Sequence, residues 1–473
     1  MVMRRFPLLR VSLMLAACCA GPAAAQDEPS KREQELEALV RRLADRVEQL
    51  EARLGRLEGT RVQELEEKVE QIKEERPPAV DSDEWKEMRK WVTDPNTVRP
   101  YWKEGLRFDT ADGSFKLRIG GRIQNDWAYF CEDGDIERRL GEDFDDGTEF
   151  RRARLYMSGS IYENIEFKAQ YDFAGGDSDF KDVYMGLKKV PYVGNVRIGH
   201  FKEPFSLEEL TSSKYITFME RSLVNTFAPS RNTGVMVHDT LFDERMTWAT
   251  GVFRQTDDFG EGTGGRDYNV TARVTGLPLY EEKGKRLVHV GLGYTHQNYE
   301  DDEIRFRARP EAHLSPRLVD TGTFGADHGD FLGAEAAWVH GPFSMQGEYV
   351  HALIDGRGHR VGDPHFWAAS AQASYFLTGE HRPYKTSTGT FSNVKPFKNF
   401  GPDGGTGAWE VAARYSHLNL NDEGVRGGRL RDLTLGLNWY LNPNMRMAWN
   451  YVLADPIDDG DVNIFQWRFQ LAF

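Results

Sequence analysis

The sequence predicts an all-β protein: a 16-stranded antiparallel transmembrane β-barrel with an N-terminal α-helical coiled coil. Three observations predict it. From Ser114 to the last residue, apolar and polar side chains alternate with period two. The alternating segments number sixteen, and bacterial single-chain barrels use even numbers. Between residues 31 and 76, leucine and valine recur at heptad spacing.

Composition bounds the alternatives. The 473 residues carry 60 Lys+Arg against 74 Asp+Glu, a net charge of −14, which argues against wholesale nucleic-acid binding. Mean hydropathy is −0.60, and no run of about 18 apolar residues exists, so no transmembrane helix is predicted. The 46 glycines and abundant aromatics leave a barrel as the route into a membrane, because its alternating signal averages away in hydropathy windows.

Residues 1–25 read as a signal peptide. Arg4, Arg5 and Arg10 give a positive start, Val11 to Ala20 is a short apolar stretch, and Ala23-Ala24-Ala25 is a cleavage site. A rival reading takes Leu15-Ala16-Ala17-Cys18 as a lipobox that would acylate Cys18. After cleavage Cys131 is the one cysteine, which excludes an intramolecular disulfide and a cysteine metal cluster. No cofactor is expected.

Residues 26–76 read as a periplasmic coiled coil. Val40, Val47 and Leu54 repeat every seven, interleaved with Leu36, Leu43, Leu50 and Leu57. Val62, Leu65, Val69 and Ile72 resume after a phase shift near Gly59-Thr60. So narrow a seam predicts self-association, of two strands or three. Pro77-Pro78 ends the helix, and residues 77–113 read as a linker with a helical piece around Trp85 to Trp91.

Residues 114–473 read as the barrel. In Phe115 to Phe130 the odd positions are mostly apolar and the even ones mostly polar. At that length the strand exceeds the usual soluble strand of about 5–6 residues. The last residues repeat the pattern, with Phe465, Trp467, Phe469, Leu471 and Phe473 on one face. Alternate connections are tight, as at Glu163-Asn164 and Gly341-Pro342, whereas 131–147, 203–230, 256–266 and 300–328 are long. Tight turns belong on the periplasmic side and long loops outside. One inner connection, 378–406, is long against this rule. Ile304 to Arg309 is assigned to a loop, because a seventeenth strand would upset the parity.

Three segments carry a family resemblance: Phe150 to Asp172 (FRRARLYMSGSIYENIEFKAQYD), Arg197 to Val235 (RIGHFKEPFSLEELTSSKYITFMERSLVNTFAPSRNTGV) and Phe306 to Gly322 (FRARPEAHLSPRLVDTG). Together they resemble the phosphate-selective porin O and P family of bacterial outer membranes, over residues 110 to 473. The resemblance implies a sixteen-stranded barrel, a homotrimer, and an anion-selective pore narrowed by inward-folded loops. Segment 203–230 would then be the third outer loop and 300–328 the fifth, and 378–406 would suit a segment folded into the lumen.

A pore selects anions by placing fixed positive charge where the water column is narrowest, and arginine suits phosphate because it forms two parallel hydrogen bonds. The lumen-facing candidates are Lys116, Arg118 and Arg122 on the first strand, and Arg152 and Arg154 on the second. Arg305, Arg307 and Arg309 share a face of the fifth loop if it is extended, with Glu303 and Glu311 close enough to neutralise them. Lys202 and Lys214 flank the third-loop motif, and Arg382, Lys385, Lys395 and Lys398 make the long inner connection basic. Lumen arginines equally serve to brace the wall by pairing with acids. Glu203, Glu208, Glu209 and Glu220 cut the other way: they either hold the third loop inside or weaken anion selectivity.

Enzyme readings are weak. Gly260 to Gly265 fits G-x-G-x-x-G as a string, but no helix follows to present its N-terminus, and no H-E-x-x-H or G-x-S-x-G occurs. The sequence therefore predicts a non-enzymatic outer-membrane porin for small anions such as inorganic phosphate. Its expected partners are further copies of itself, outer-membrane lipid and lipopolysaccharide. The alternatives are a non-selective or cation-preferring porin, and a structural barrel that tethers the cell wall through the coiled coil.

Overall fold

The computed structural model describes residues 97–473, apart from 142, 264, 266–267, 300–301, 359–360 and 457–459, together with Asp94 and positions 42, 45, 46 and 49. Those last four are helical. The signal peptide, the Cys18 lipobox, the heptads and the helical piece near Trp85 otherwise lie outside the described residues.

Alternation in the sequence becomes sixteen long strands: β1 (Phe115–Glu132), β2 (Gly147–Ile161), β3 (Ile165–Asp172), β4 (Asp179–Val190), β5 (Gly194–Lys202), β6 (Arg231–Leu241), β7 (Met246–Arg254), β8 (Tyr268–Glu281), β9 (Arg286–Asn298), β10 (Phe324–His340), β11 (Phe343–Gly356), β12 (His365–Phe376), β13 (Ala408–Asp422), β14 (Val425–Asn442), β15 (Met445–Pro456) and β16 (Val462–Ala472). Each pairs antiparallel with the next, and β16 returns to β1 in the register Phe465↔Tyr129 and Ala472↔Arg122. Closure leaves no long free edge, which is what a lipid environment without water requires of a sheet.

The final residue seals the seam. Phe473 and Gly121 exchange backbone hydrogen bonds of 2.6 and 3.1 Å. Below that point β1 overhangs β16. A hairpin of two short strands, Val98–Trp102 and Leu106–Thr110, covers the overhang by pairing Leu106↔Ile119 through Asp109↔Lys116. The stretch read as linker thus contains an element that protects an edge.

Six of the seven inner connections have two to four residues, and the seventh runs from 377 to 407. Outward side chains form an apolar band, with Ile123 and Leu155 more than two-fifths exposed while their neighbours Arg122 and Gln124 are buried. Aromatic pairs flank the band: Trp127 stacks on Trp467 at the outer end, and Trp409 on Trp439 at the inner end. Such girdles mark the two membrane interfaces.

Inside, the barrel is asymmetric. The outer halves of β10 to β16 turn apolar inward, through Phe331, Ile354, Phe366, Leu418, Val452 and Ile464. Residues of the third outer loop (Phe205, Leu223, Phe227) and of the fifth (Phe306, Ala312, Leu318) pack on them as an ordinary hydrophobic core. From the inner end, Tyr384 and Phe391 of the long connection join Leu207, Leu287 and Val339 in a second core, and the Phe391 amide donates to the Thr211 hydroxyl. Glu303–Ile304 makes a two-residue ladder with the start of β10 and Arg307–Ala308 one with Val319–Asp320 inside the fifth loop, so that segment adds no barrel strand.

Candidate functional site: a basic lumen

The third outer loop crosses the lumen because its acids find partners there. Arg414 of β13 is buried. It binds Glu208 at 3.1 Å and Glu311 of the fifth loop at 2.5 Å, donates to the Glu220 carbonyl, and lies 4.4 Å over the Phe218 ring. Ser206 and the Glu208 amide both donate to the Glu348 carboxylate, at 2.6 and 2.7 Å. Glu220 joins Arg151 of β2 at 3.0 Å and Arg468 of β16 at 2.7 Å. Glu209 holds Lys202 and Arg221, and Glu203 accepts from Asn232, Asn269 and Thr271. Burial raises the Glu203 carboxyl above the ordinary range, and these hydrogen bonds offset it only in part. All four third-loop acids are thus engaged in fastening the loop.

A cavity of about 690 Å³ lies between that loop, the inner connection and the wall of β1 to β8. Twelve basic residues line it: Arg122, Arg151, Arg152, Arg154, Lys168, Lys181, Arg197, Lys202, Arg221, Arg231, Arg273 and Lys385. Asp182, Glu209 and Asp239 are its three acids. Six more carboxylates pair with the lining from behind: Asp172 with Arg154, Glu166 with Arg197, Asp179 and Asp258 with Lys181, Glu220 with Arg151, and Glu335 with Arg273. With those counted, twelve positive groups still face nine negative ones. Arg122 donates to the Ser213 hydroxyl at 2.5 Å and has no carboxylate partner among the described residues.

The backing acids do a second job. A guanidinium held from one side in a forked geometry keeps its remaining N–H groups aimed into the lumen. Arg197 also lies 4.2 Å over the Tyr184 ring, which fixes its plane.

Of the ten residues singled out from the sequence, Arg122, Arg152, Arg154 and Lys202 come together on this cavity. Arg118 and Lys214 lie next to it on Tyr156, at 5.5 and 5.8 Å, and Arg118 donates to the Glu104 carbonyl. Lys116 sits further toward the inner rim, opposite Ser160. Arg305, Arg307 and Arg309 are not brought to the cavity. Arg305 is exposed and pairs with Asp320, holding that carboxyl below its usual range, and Arg309 donates to the Ser315 carbonyl. The acid expected beside them, Glu311, goes to Arg414 instead. Of the inner-connection lysines, Lys385 reaches the lumen, whereas Lys398 donates to the Asp403 carbonyl.

Lys168, Lys181, Arg197, Arg231 and Arg273 were missed. All lie on β3 to β8, and Lys168 was legible as the inward parity of Ile165 to Phe173. Arg151 was missed because the ladder slips between Gln124 and Asn125, which turns two consecutive arginines inward.

The profile of the family described as phosphate-selective porin O and P matches residues 117–473. Porin O of Pseudomonas aeruginosa is 29% identical over 416 residues, 78% of this chain and 91% of that one. A Caulobacter vibrioides chain is 29% identical over 495 residues, 98% of this chain and 95% of its own. Among solved structures, the outer membrane channel DcaP of Acinetobacter baumannii matches at a TM-score of 0.48 and 12% identity, over 76% of this chain and 98% of that one. With a closed barrel, a water-accessible basic lumen and a profile match across the whole of it, the chain belongs to the phosphate-selective porin O and P family and is an outer-membrane porin.

Proposed function

We propose that the pore passes small anions, inorganic phosphate among them, along the wall of β1 to β8. The observation that carries this reading is the lining of twelve basic residues against three acids at the narrowed part of the lumen. A fixed positive wall concentrates anions and repels cations in the same volume. Phosphate gains further from the forked donors of Arg122, Arg154 and Arg197, and the description of the matching family points the same way. The third-loop acids do not favour a cation pore, because each is consumed in fastening the loop.

The chain works as a homotrimer in this proposal. A cleaved signal peptide delivers it to the outer membrane, and the heptads of residues 26–76 form a self-associating periplasmic neck. Deleting residues 26–90, which spares the edge-protecting hairpin that starts at Val98, separates the neck's roles. Loss of the trimer marks an assembly device; an intact trimer with failed envelope attachment marks a tether.

The reversal potential in a planar bilayer under a KCl gradient tests the pore. An anion-selective potential is expected, with chloride current blocked by added phosphate. Arg122→Gln with Arg154→Gln should raise the half-blocking phosphate concentration about tenfold or more, since a hydrogen bond to a charged group contributes roughly 1.5–3 kcal/mol. A cation-selective potential refutes the reading.

A further inference from the structure

The lipid-facing surface carries a second concentration of one residue type. Five of the twelve histidines stand on five consecutive strands: His296 on β9, His328 on β10, His351 on β11, His365 on β12 and His417 on β13. Strand parity turns each outward. His296 follows the exposed Leu292 and Tyr294, His328 precedes the exposed Leu332, and His351 and His417 follow the exposed Tyr349 and Tyr415. All five lie at the outer end, where the apolar band stops.

The rings form two contiguous groups. His296 and His328 are 5.1 Å apart between centroids, and Asp330 and Asp355 hold them at 2.9 and 3.2 Å. His351 meets His365 at 5.6 Å and stacks with Tyr349, while Trp367 lies 4.7 Å from His417. No carboxylate touches the rings of His351, His365 or His417 among the described residues. Around this group stand Arg431, directly opposite His417 and paired with Asp455, its neighbour Arg429, and Asp422, which accepts the His365 backbone amide. Among the described residues the opposite interface holds one outward histidine on a strand, His340 at the inner end of β10.

We propose that this histidine belt binds the phosphate groups of outer-leaflet lipid headgroups. Aromatic side chains at a membrane interface anchor by their amphipathic rings. Imidazole adds what Trp and Tyr lack, an N–H donor that becomes cationic within the physiological pH range. The position at the band's outer edge puts those donors at headgroup depth, and Arg431 extends the same cationic row. The two acids tie down His296 and His328, so the phosphate contact falls to His351, His365 and His417, the last through Nδ1 because its Nε2 is enclosed.

Native mass spectrometry of the purified full-length protein tests this. The protein is titrated in detergent with diphosphoryl lipid A and, in parallel, with the dephosphorylated lipid, at pH 5.5 and 8.0. Phosphate-dependent binding is expected to be roughly fivefold tighter or more at pH 5.5, the gain of a single added positive charge at an anionic surface. The triple variant His351→Gln, His365→Gln, His417→Gln should lose that pH-dependent part, and His340→Gln should keep it. Equal binding of the two lipids overturns the proposal, as does a triple variant that retains the pH dependence. If the triple variant fails to fold, His351→Gln alone must still reduce the pH-dependent part, and unchanged binding refutes it equally.

Discussion

Arg414 ties two outer loops to the barrel wall, so its removal should open the pore without unfolding the barrel. Its side chain is 1% exposed, and its partners Glu208 and Glu311 are 8% and 0% exposed. Replacing it with leucine leaves two carboxylates facing each other out of water, with Asp432 buried nearby. Breaking a buried pair from one side costs about 3–5 kcal/mol. That shifts the balance between docked and undocked loops by roughly a hundred- to several-thousand-fold. The sixteen-strand ladder does not pass through this contact, so the cost falls on the loops. Single-channel recording of Arg414→Leu should show a larger, noisier conductance with weaker anion selectivity. Limited proteolysis should cut within 203–230, while the heat-modifiable migration of the folded barrel persists. A triple change to Arg414→Met, Glu208→Gln and Glu311→Gln removes the stranded charge and should restore much of the quiet state, because replacing a whole buried ion cluster is often close to neutral. A wild-type conductance and digestion pattern from Arg414→Leu would refute the reasoning.

Two further outcomes follow from packing. A Cβ at Gly120 would lie 2.4 Å from the Phe473 carbonyl oxygen and 2.5 Å from the Tyr156 hydroxyl, so Gly120→Val should disturb the β1–β16 seam by about 1–3 kcal/mol. The measurement is the temperature at which the folded gel form is lost, and an unchanged temperature contradicts the close approach. Phe391→Ala removes a fully buried ring that joins the inner connection to the third loop, at about 3–5 kcal/mol, and should bring flickering from the inner side; steady current would show that the connection is held elsewhere.

How much of this was legible depended on which contacts were local. Strand parity is set by the pleat, so the sixteen strands, the inward aim of Arg122, Arg152 and Arg154, and the short inner turns all followed from period two. The partners of the charges did not, because they are remote in the chain: Arg414 meets residues 103 and 206 positions away. The same remoteness explains the fifth-loop arginines. Their neighbours in sequence suggested Glu303 and Glu311 as counterions, but a short internal ladder brings Asp320 to Arg305 and leaves Glu311 free to cross the lumen. The slip in the β1–β2 ladder defeated parity at Arg151, since one displaced residue reverses the facing of the chain. The inward apolar residues of β10 to β16 broke the expected two-faced pattern because that wall meets folded loops in place of water.

That last arrangement divides the molecule's vulnerability to change. Half of the wall obeys the rules of a packed protein interior, where a lost methylene is felt and volume is conserved. The other half lines water, where side chains that neither fasten the third loop nor sit in a buried ion pair can be exchanged with less effect on folding. Relatives of this chain can therefore acquire new solute preferences by drifting at those positions of β1 to β8 that do not hold the third loop, while the apolar seat of the loops on the far side stays in place. The preference and the aperture are separately heritable traits of one barrel.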